Sequence, residues 1–248
     1  MVKQLSNRDK AIITGLYFSK FDTLALNEFE FEGFQHAFNI LGYSIGVKPA
    51  SIKNYRDEFD PYFPNARKGW HKRPLRMYCK EVLDIYSTLH FEELTNIIKS
   101  FILPNYDIEQ CVTKLLKKDT TESIAKRLAT GKAAEEYFKI NYLGIEVFSK
   151  YELTDARILA CGFDFKLSSE ENFLLVEVKG MNLNSGSILM TEKEYSVAGQ
   201  FKEKYCLFVV KNFIEQPKHE MFFNPIGSTL NFKKHERKVV QTNYSTVI

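Results

Sequence analysis

Apolar positions recur at helical spacing through the first part of the chain and gather into strand-like runs in the last part. Residues 9–18 and 32–41 place apolar side chains three and four apart, which predicts amphipathic helices. Residues 77–89 repeat the pattern through Met77, Tyr78, Val82, Leu83, Ile85 and Tyr86, and residues 91–103 continue it. Pro61 and Pro64 forbid a helix interior between these blocks. From about residue 120 the predicted order becomes helix, strand, strand, strand, helix, strand. The helix covers 121–142 with a break near Gly131, and a short first strand follows at 144–148. Residues 158–167 and 173–178 form two more strands. A helix over 191–202 starts on Thr191 as N-cap with Glu194 at its third position. A buried strand at 205–210 and a further strand at 220–223 complete the order. The fold class is therefore an α/β C-terminal core behind a mostly α-helical N-terminal domain. The polar run from Lys117 to Glu122 has linker character, and Asp119 with Glu122 fits a capping box. The boundary drawn there gives domains 1–118 and 119–248.

The runs 158–167 and 173–178 flank a polar break, which predicts a β-hairpin. A four-residue loop at 169–172 pairs Ser168 with Phe173 and Leu167 with Leu174, and that register sets Asp164 opposite Glu177. Glu177 and Lys179 are two apart and share one face, while Val176 and Val178 point the other way into a core. Two facing carboxylates repel unless a cation lies between them. One lysine does not readily satisfy both, so a divalent metal accounts for the arrangement. An ordinary cross-strand charge pair on a surface hairpin is the competing reading of the same spacing.

The N-terminal half carries a different signal. Residues 41–56 read as helix, tight turn, helix, with Gly42 and Gly46 suited to the turn and Pro49 to the first turn of the second helix. That second helix would present Ser51, Lys53, Asn54 and Arg56, donors suited to phosphates and base edges. Just beyond, residues 65–76 hold Arg67, Lys68, Trp70, His71, Lys72, Arg73 and Arg76 and no acid. Basic residues interleaved with an aromatic fit a loop that tracks phosphates. A helical bundle with a solvated basic loop fits the same residues, and Asp57, Glu58 and Asp60 interrupt the positive stripe.

Composition narrows the class without deciding it. The 248 residues suffice for two domains, and 44% hydrophobic content lets each bury a core. The net charge of +3 is too small to name a partner. Four scattered cysteines with no Cys-x-x-Cys, and five histidines without ligand spacing, argue against structural zinc and a disulfide scaffold. With no apolar leader after Met1 and no membrane-length run, a soluble, reducing compartment is expected. The absence of a Gly-x-x-x-x-Gly-Lys-Ser/Thr loop argues against an ATP-driven enzyme of that type.

Five segments stand in order over about 80 residues: Gly131-Lys132-Ala133-Ala134-Glu135, Gly162-Phe163-Asp164, Glu177-Val178-Lys179-Gly180, Thr191-Glu192-Lys193-Glu194, and Tyr205 to Val210. An Asp followed by Glu-x-Lys on the next strand resembles the PD-(D/E)xK nuclease superfamily, which includes many restriction endonucleases. The fuller run is similar to its DUF3883 branch. The resemblance implies a mixed sheet flanked by helices. It assigns Asp164 and Glu177 to Mg²⁺, aided by the Val178 carbonyl, and gives Lys179 the attacking water and the phosphate charge. Glu135 would help hold the metal, whereas Glu136 points about 100° away on the helix. Asn182 and Asn184 lie in a polar loop that can approach DNA. Gln200 and Tyr205 match a helix motif loosely, with a spacing of five where the family has four.

The function expected is a Mg²⁺-dependent Type II restriction endonuclease acting on double-stranded DNA in a prokaryotic cytoplasm. A double-strand break needs a homodimer or two visits. A structure-specific or repair nuclease, and a non-catalytic DNA-binding module on the same fold, are the alternatives.

Overall fold

A computed structural model describes residues 5–102, 121–236 and 246. Among the described residues five helices come first: α1 (Asn7–Glu28), α2 (Phe34–Ile45), α3 (Pro49–Phe59), α4 (Met77–Tyr86) and α5 (Phe91–Ile102). A long helix, α6 (Thr121–Asn141), leads into β1 (Glu152–Asp155), β2 (Phe165–Ser168) and β3 (Phe173–Gly180). Helix α7 (Glu192–Phe201) then precedes β4 (Tyr205–Lys211) and β5 (Lys218–Phe223). The expected fold class is the observed one: a helical N-terminal region and an α/β C-terminal core. The boundary expected at residues 118 and 119, and the capping box begun by Asp119, lie outside the described residues.

The sheet order is β1-β2-β3-β4-β5, and every neighbouring pair is antiparallel except β3 with β4. That parallel pair needs a crossover, which α7 supplies. The two sheet faces alternate residue by residue. Leu174, Val176 and Val178 of β3 join Phe165, Leu167, Cys206 and Phe208 in a core that α6 covers with Ala133, Ala134 and Phe138. The Phe138 ring lies 4.8 Å from Phe208 and 5.2 Å from Phe165. Burying each such ring contributes about 2–3 kcal/mol. On the opposite face Leu175 and Tyr205 pack with Ala198 of α7, and Glu177 and Lys179 belong to that face. At Gly180 an added Cβ would lie 2.7 Å from the Thr130 carbonyl and 3.0 Å from the Ala134 Cβ, so the helix crosses the strand too closely for a side chain.

The same core continues into the N-terminal helices. Tyr43 of α2 meets Tyr137 of α6 edge to face, with ring centroids 5.1 Å apart. Asn39 Nδ2 donates to the carbonyls of Phe213 at 2.7 Å and Glu215 at 2.8 Å. Lys132 Nζ donates to the carbonyls of Phe101 and Ile102, a cation at the C-terminal end of α5. Among the described residues no helix is long and apolar enough to cross a membrane.

Three local expectations differ from what forms. The apolar run 144–148 is not a strand but a chain of tight turns, with Ile145, Phe148 and Tyr151 each donating to the carbonyl three residues back. Phe148 is buried there against Phe138, so the run meets its need for burial without extending. The first strand is instead Glu152–Asp155, whose residues are exposed or half-buried and leave no apolar signature. Helix α6 runs through Gly131 unbroken, because an added Cβ there meets nothing and the residue needs no special conformation. Ile158 is part of a single 3-10 turn and is 98% exposed, so the strand after it begins only at Phe165.

Candidate active site

The β2–β3 hairpin has the expected register: Ser168 pairs with Phe173, Leu167 with Leu174 and Phe165 with Val176. Asp164 lies one residue ahead of β2. Its amide donates to the Val176 carbonyl at 2.9 Å, and its Oδ2 accepts from the Val178 amide at 2.8 Å. The Ala156 amide donates to the Asp164 carbonyl at 2.9 Å, which ties in the segment after β1. The preceding Gly162 has φ +93, and an added Cβ would lie 2.9 Å from Val197 Cγ2 of α7. Only glycine fits a left-handed residue in that space. Tyr205 is a core residue whose hydroxyl donates to the Gly162 carbonyl at 3.0 Å, closing the loop from below. Backbone bonds and packing thus hold Asp164 beside the Glu177 segment of β3.

Glu177 is 4% exposed. Lys179 Nζ lies 2.6 Å from Glu177 Oε1 and 2.7 Å from Glu194 Oε2, so one ammonium spans two carboxylates. Burial pushes the Glu177 carboxyl well above its usual range, and the Asp164 charge adds to the shift. The Asp164 carboxyl is raised in the same way, by burial and by the charge of Glu135, against the Val178 hydrogen bond. Burial works against the Lys179 ammonium too, but Glu177 and Glu194 outweigh it and its pKa is raised. Half-buried Asp164 and buried Glu177 therefore form an acidic pair of which Lys179 bonds only Glu177.

Glu135 stands on the helix over this end of the sheet. Its Oε2 is 2.7 Å from Arg157 Nη1, and Glu136 Oε1 reaches the same nitrogen at 3.0 Å. Although about 100° apart on α6, both glutamates converge on this guanidinium. Arg157 also bonds Asp155, and these carboxylates hold its pKa above the ordinary arginine value. Arg157 and Glu194 are the two residues that sequence reasoning missed as site neighbours. Glu194 was visible as a cap and not as a partner of Lys179. Arg157 carries no motif, since Glu135 is 22 residues away.

Among the described residues no group of three or more His, Cys, Asp or Glu side chains is gathered so as to hold a metal ion by itself. Asp164 and Glu177 nevertheless suit Mg²⁺, which takes one or two carboxylates and completes its shell with water and phosphate oxygens. A divalent cation would relieve the charge that raises both groups. Val178 presents its amide to Asp164, while its side chain is buried toward α6.

The residues expected to touch DNA do not share one setting. Asn182 Oδ1 lies 3.3 Å from His36 Nε2 and 3.4 Å from Thr130 Oγ1, which turns it toward α2 and α6, whereas Asn184 is exposed. Of the helix, turn and helix expected at 41–56, α2 ends at Ile45 with Gly46 left-handed and Pro49 opens α3, whereas Gly42, expected in the turn, is buried within α2. On α3, Lys53 and Asn54 are exposed and Ser51 is half-buried. Arg56 is a correction to the outward set: it is only 7% exposed, bonds Asp57 at 2.6 Å, and lies over Phe34 and Phe38. Ile52, Arg56 and Phe59 fall at i, i+4 and i+7, so the buried stripe of α3 carries Arg56 inward.

In the basic segment, Arg67 bonds Asp60 and Asp22, each at 2.9 Å. Arg76 pairs with Glu58, and Arg73 lies 3.6 Å from the same carboxylate while stacking 3.8 Å from the Trp70 ring centroid. Lys68, His71 and Lys72 are exposed. Gly69, Trp70, His71, Lys72 and Arg73 line an open pocket of about 260 Å³.

Residues 134–223 match the family described as Protein NO VEIN, C-terminal. That domain is associated with PD-(D/E)xK-like nucleases. The match spans Glu135, the hairpin, α7 and the sheet to its last strand, and leaves out the N-terminal helices. No curated protein and no solved structure matches the chain.

Proposed function

We propose that this chain is a Mg²⁺-dependent DNA endonuclease of the PD-(D/E)xK type, on the DUF3883-like branch, working as a Type II restriction enzyme. The observation that carries the reading is half-buried Asp164 beside buried Glu177, with Lys179 next to Glu177 on one face of β3. The family match over residues 134–223 supports the same class. When bound, Mg²⁺ would polarise a scissile phosphate and lower the pKa of a water. Asp164 and Glu177 would hold the ion, and hydrogen bonds of Asp164 with the Val176 carbonyl and the Val178 amide tie it to the Glu177 strand. The Lys179 ammonium would meet the phosphate and offset its charge. Glu135, now on Arg157, stands close enough to raise Asp164 and would enter the same acidic site.

The helical part, assigned to residues 1–118, would grip duplex DNA through Ser51, Lys53 and Asn54 and the exposed Lys68, His71 and Lys72. Arg67, Arg73, Arg76 and Trp70 would shape that surface. Cutting both strands would use a homodimer or two visits.

The test is incubation of the purified chain with plasmid and phage DNA, in Mg²⁺ or in EDTA, beside Lys179→Ala. Discrete bands that need Mg²⁺ and vanish in the variant are expected. A metal-dependent smear would keep the nuclease and remove the restriction role. Cleavage by Lys179→Ala equal to wild type would overturn the site, and binding without cleavage under any condition would leave a DNA-binding module.

A further inference from the structure

Glu194 occupies an unusual place for a capping residue. It is the third residue of α7, and its amide donates to Thr191 Oγ1 at 3.2 Å while its Oε2 accepts from the Thr191 amide at 3.1 Å. That reciprocal pair is a complete capping box. The same Oε2 also accepts from Lys179 Nζ at 2.7 Å, across the gap from helix to strand. An ordinary box satisfies only its own helix end. Here one oxygen serves the cap and a lysine on β3 together.

The lysine needs such a hold. Its stem has four rotatable bonds, and an ammonium donates three hydrogen bonds without fixing their direction. Glu177 takes one, through Oε1, and Glu194 takes a second. With two of three protons placed, the ammonium keeps one position and one proton for an incoming group. The Glu194 carboxylate is itself held by the Thr191 backbone amide, and the side chains of Lys179 and Glu194 are only 20% and 15% exposed.

We propose that Glu194 is the positioning residue for Lys179, holding the ammonium in place with the same carboxylate oxygen that accepts from the Thr191 amide. The inference rests on the reading of Lys179 as the working lysine of a nuclease site, and it deepens that reading by adding a residue on a different element.

The experiment compares Glu194→Ala, Glu194→Gln and Thr191→Ala in the full chain. Thr191→Ala removes the hydroxyl that caps the Glu194 amide but keeps both the carboxylate that meets Lys179 and the residue-191 amide that holds it, so it isolates a purely structural role. Two readouts are taken. The first is the acylation rate of Lys179 by a small amine-reactive ester, read by peptide mass spectrometry with exposed Lys193 as internal reference. The second is kcat and KM for Mg²⁺-dependent DNA cleavage. Glu194→Ala is expected to speed Lys179 labelling several-fold and to lower kcat by about 10²-fold, the scale of a small misplacement, with KM nearly unchanged. Glu194→Gln keeps a hydrogen-bond acceptor and is expected to recover part of both. Thr191→Ala is expected to lower the melting temperature about as much as Glu194→Ala while leaving labelling and kcat near wild type. Equal effects of Glu194→Ala and Thr191→Ala on labelling would overturn the proposal and reduce Glu194 to a cap. If the wild-type chain cuts no DNA, the nuclease reading fails on its own, and the labelling contrast alone still decides whether Glu194 holds Lys179.

Discussion

The two halves of the molecule handle buried charge in opposite ways. In the helical half two carboxylates each meet two cations: Asp57 meets Lys53 and Arg56, and Glu58 meets Arg76 and Arg73. Burial alone would raise these two carboxyls, but the hydrogen bonds and charges of their partners outweigh it, and both are lowered. At the end of the sheet Glu177 is also buried and Asp164 half-buried, yet Lys179 bonds Glu177 and is shared with Glu194. Both of these carboxyls are raised. The ingredients are the same and only the balance differs. Closed clusters hold a fold together, whereas a desolvated excess of one sign marks a candidate functional site.

The sharpest way to separate the halves is to neutralise one carboxylate in each. Glu177→Gln and Asp164→Asn are expected to cut Mg²⁺-dependent cleavage by about 10²–10³-fold, the scale for removing one preorganised electrostatic group, with DNA binding by gel shift retained. Cleavage within a few-fold of wild type would put the chemistry elsewhere. Asp60→Ala should instead cost stability. Its carboxylate bonds Ser19 at 2.8 Å and Arg67 at 2.9 Å, so its loss strands buried partners and is expected to destabilise the chain by about 3 kcal/mol in urea. A loss under about 1 kcal/mol would mean that the helical cluster is not a structural one.

The pH dependence of stability has the opposite sign at the sheet. A carboxyl raised in the folded state binds its proton more tightly there than in the unfolded chain. Its stabilising contribution is complete below the unfolded pKa of about 4 and is lost as pH rises through the folded values of about 6 for Asp164 and about 8 for Glu177. In EDTA, thermal melts should therefore show wild type losing stability across this range. Asp164→Asn should flatten the profile and be the more stable protein near its upper end, by about 1 kcal/mol. A variant less stable than wild type there would contradict the repulsion. The smallest effect belongs to Lys53→Ala, which removes a half-exposed i, i+4 pair and should change stability by less than about 0.5 kcal/mol.

Much of the site was legible because its determinants are local. The alternation of apolar residues set the hairpin register, and the polar break closed as expected with the Ser169 amide on the Asn172 carbonyl. The Thr191 and Glu194 cap follows from two residues three apart. What remained hidden depends on distant partners. Arg76 finds Glu58 across 18 residues and Lys179 finds Glu194 across 15, and no window of sequence shows either pair. Strand β1 was missed because an exposed edge strand needs no apolar pattern. Arg56 is a different case: the stripe of Ile52 and Phe59 points inward through it, so counting donors along the helix without the helical phase put it on the wrong side.

The central claim is that Asp164 and Glu177 form an unbalanced acidic pair suited to a divalent cation. The most direct test is the melting temperature of wild type and of Asp164→Asn/Glu177→Gln at a pH of about 9, above the folded values of both carboxyls where they repel most, in EDTA and in millimolar Mg²⁺. Wild type should rise on adding Mg²⁺, because an ion that binds only the folded state stabilises it, and the double variant should not move. No rise in wild type, or an equal rise in both, would contradict the account.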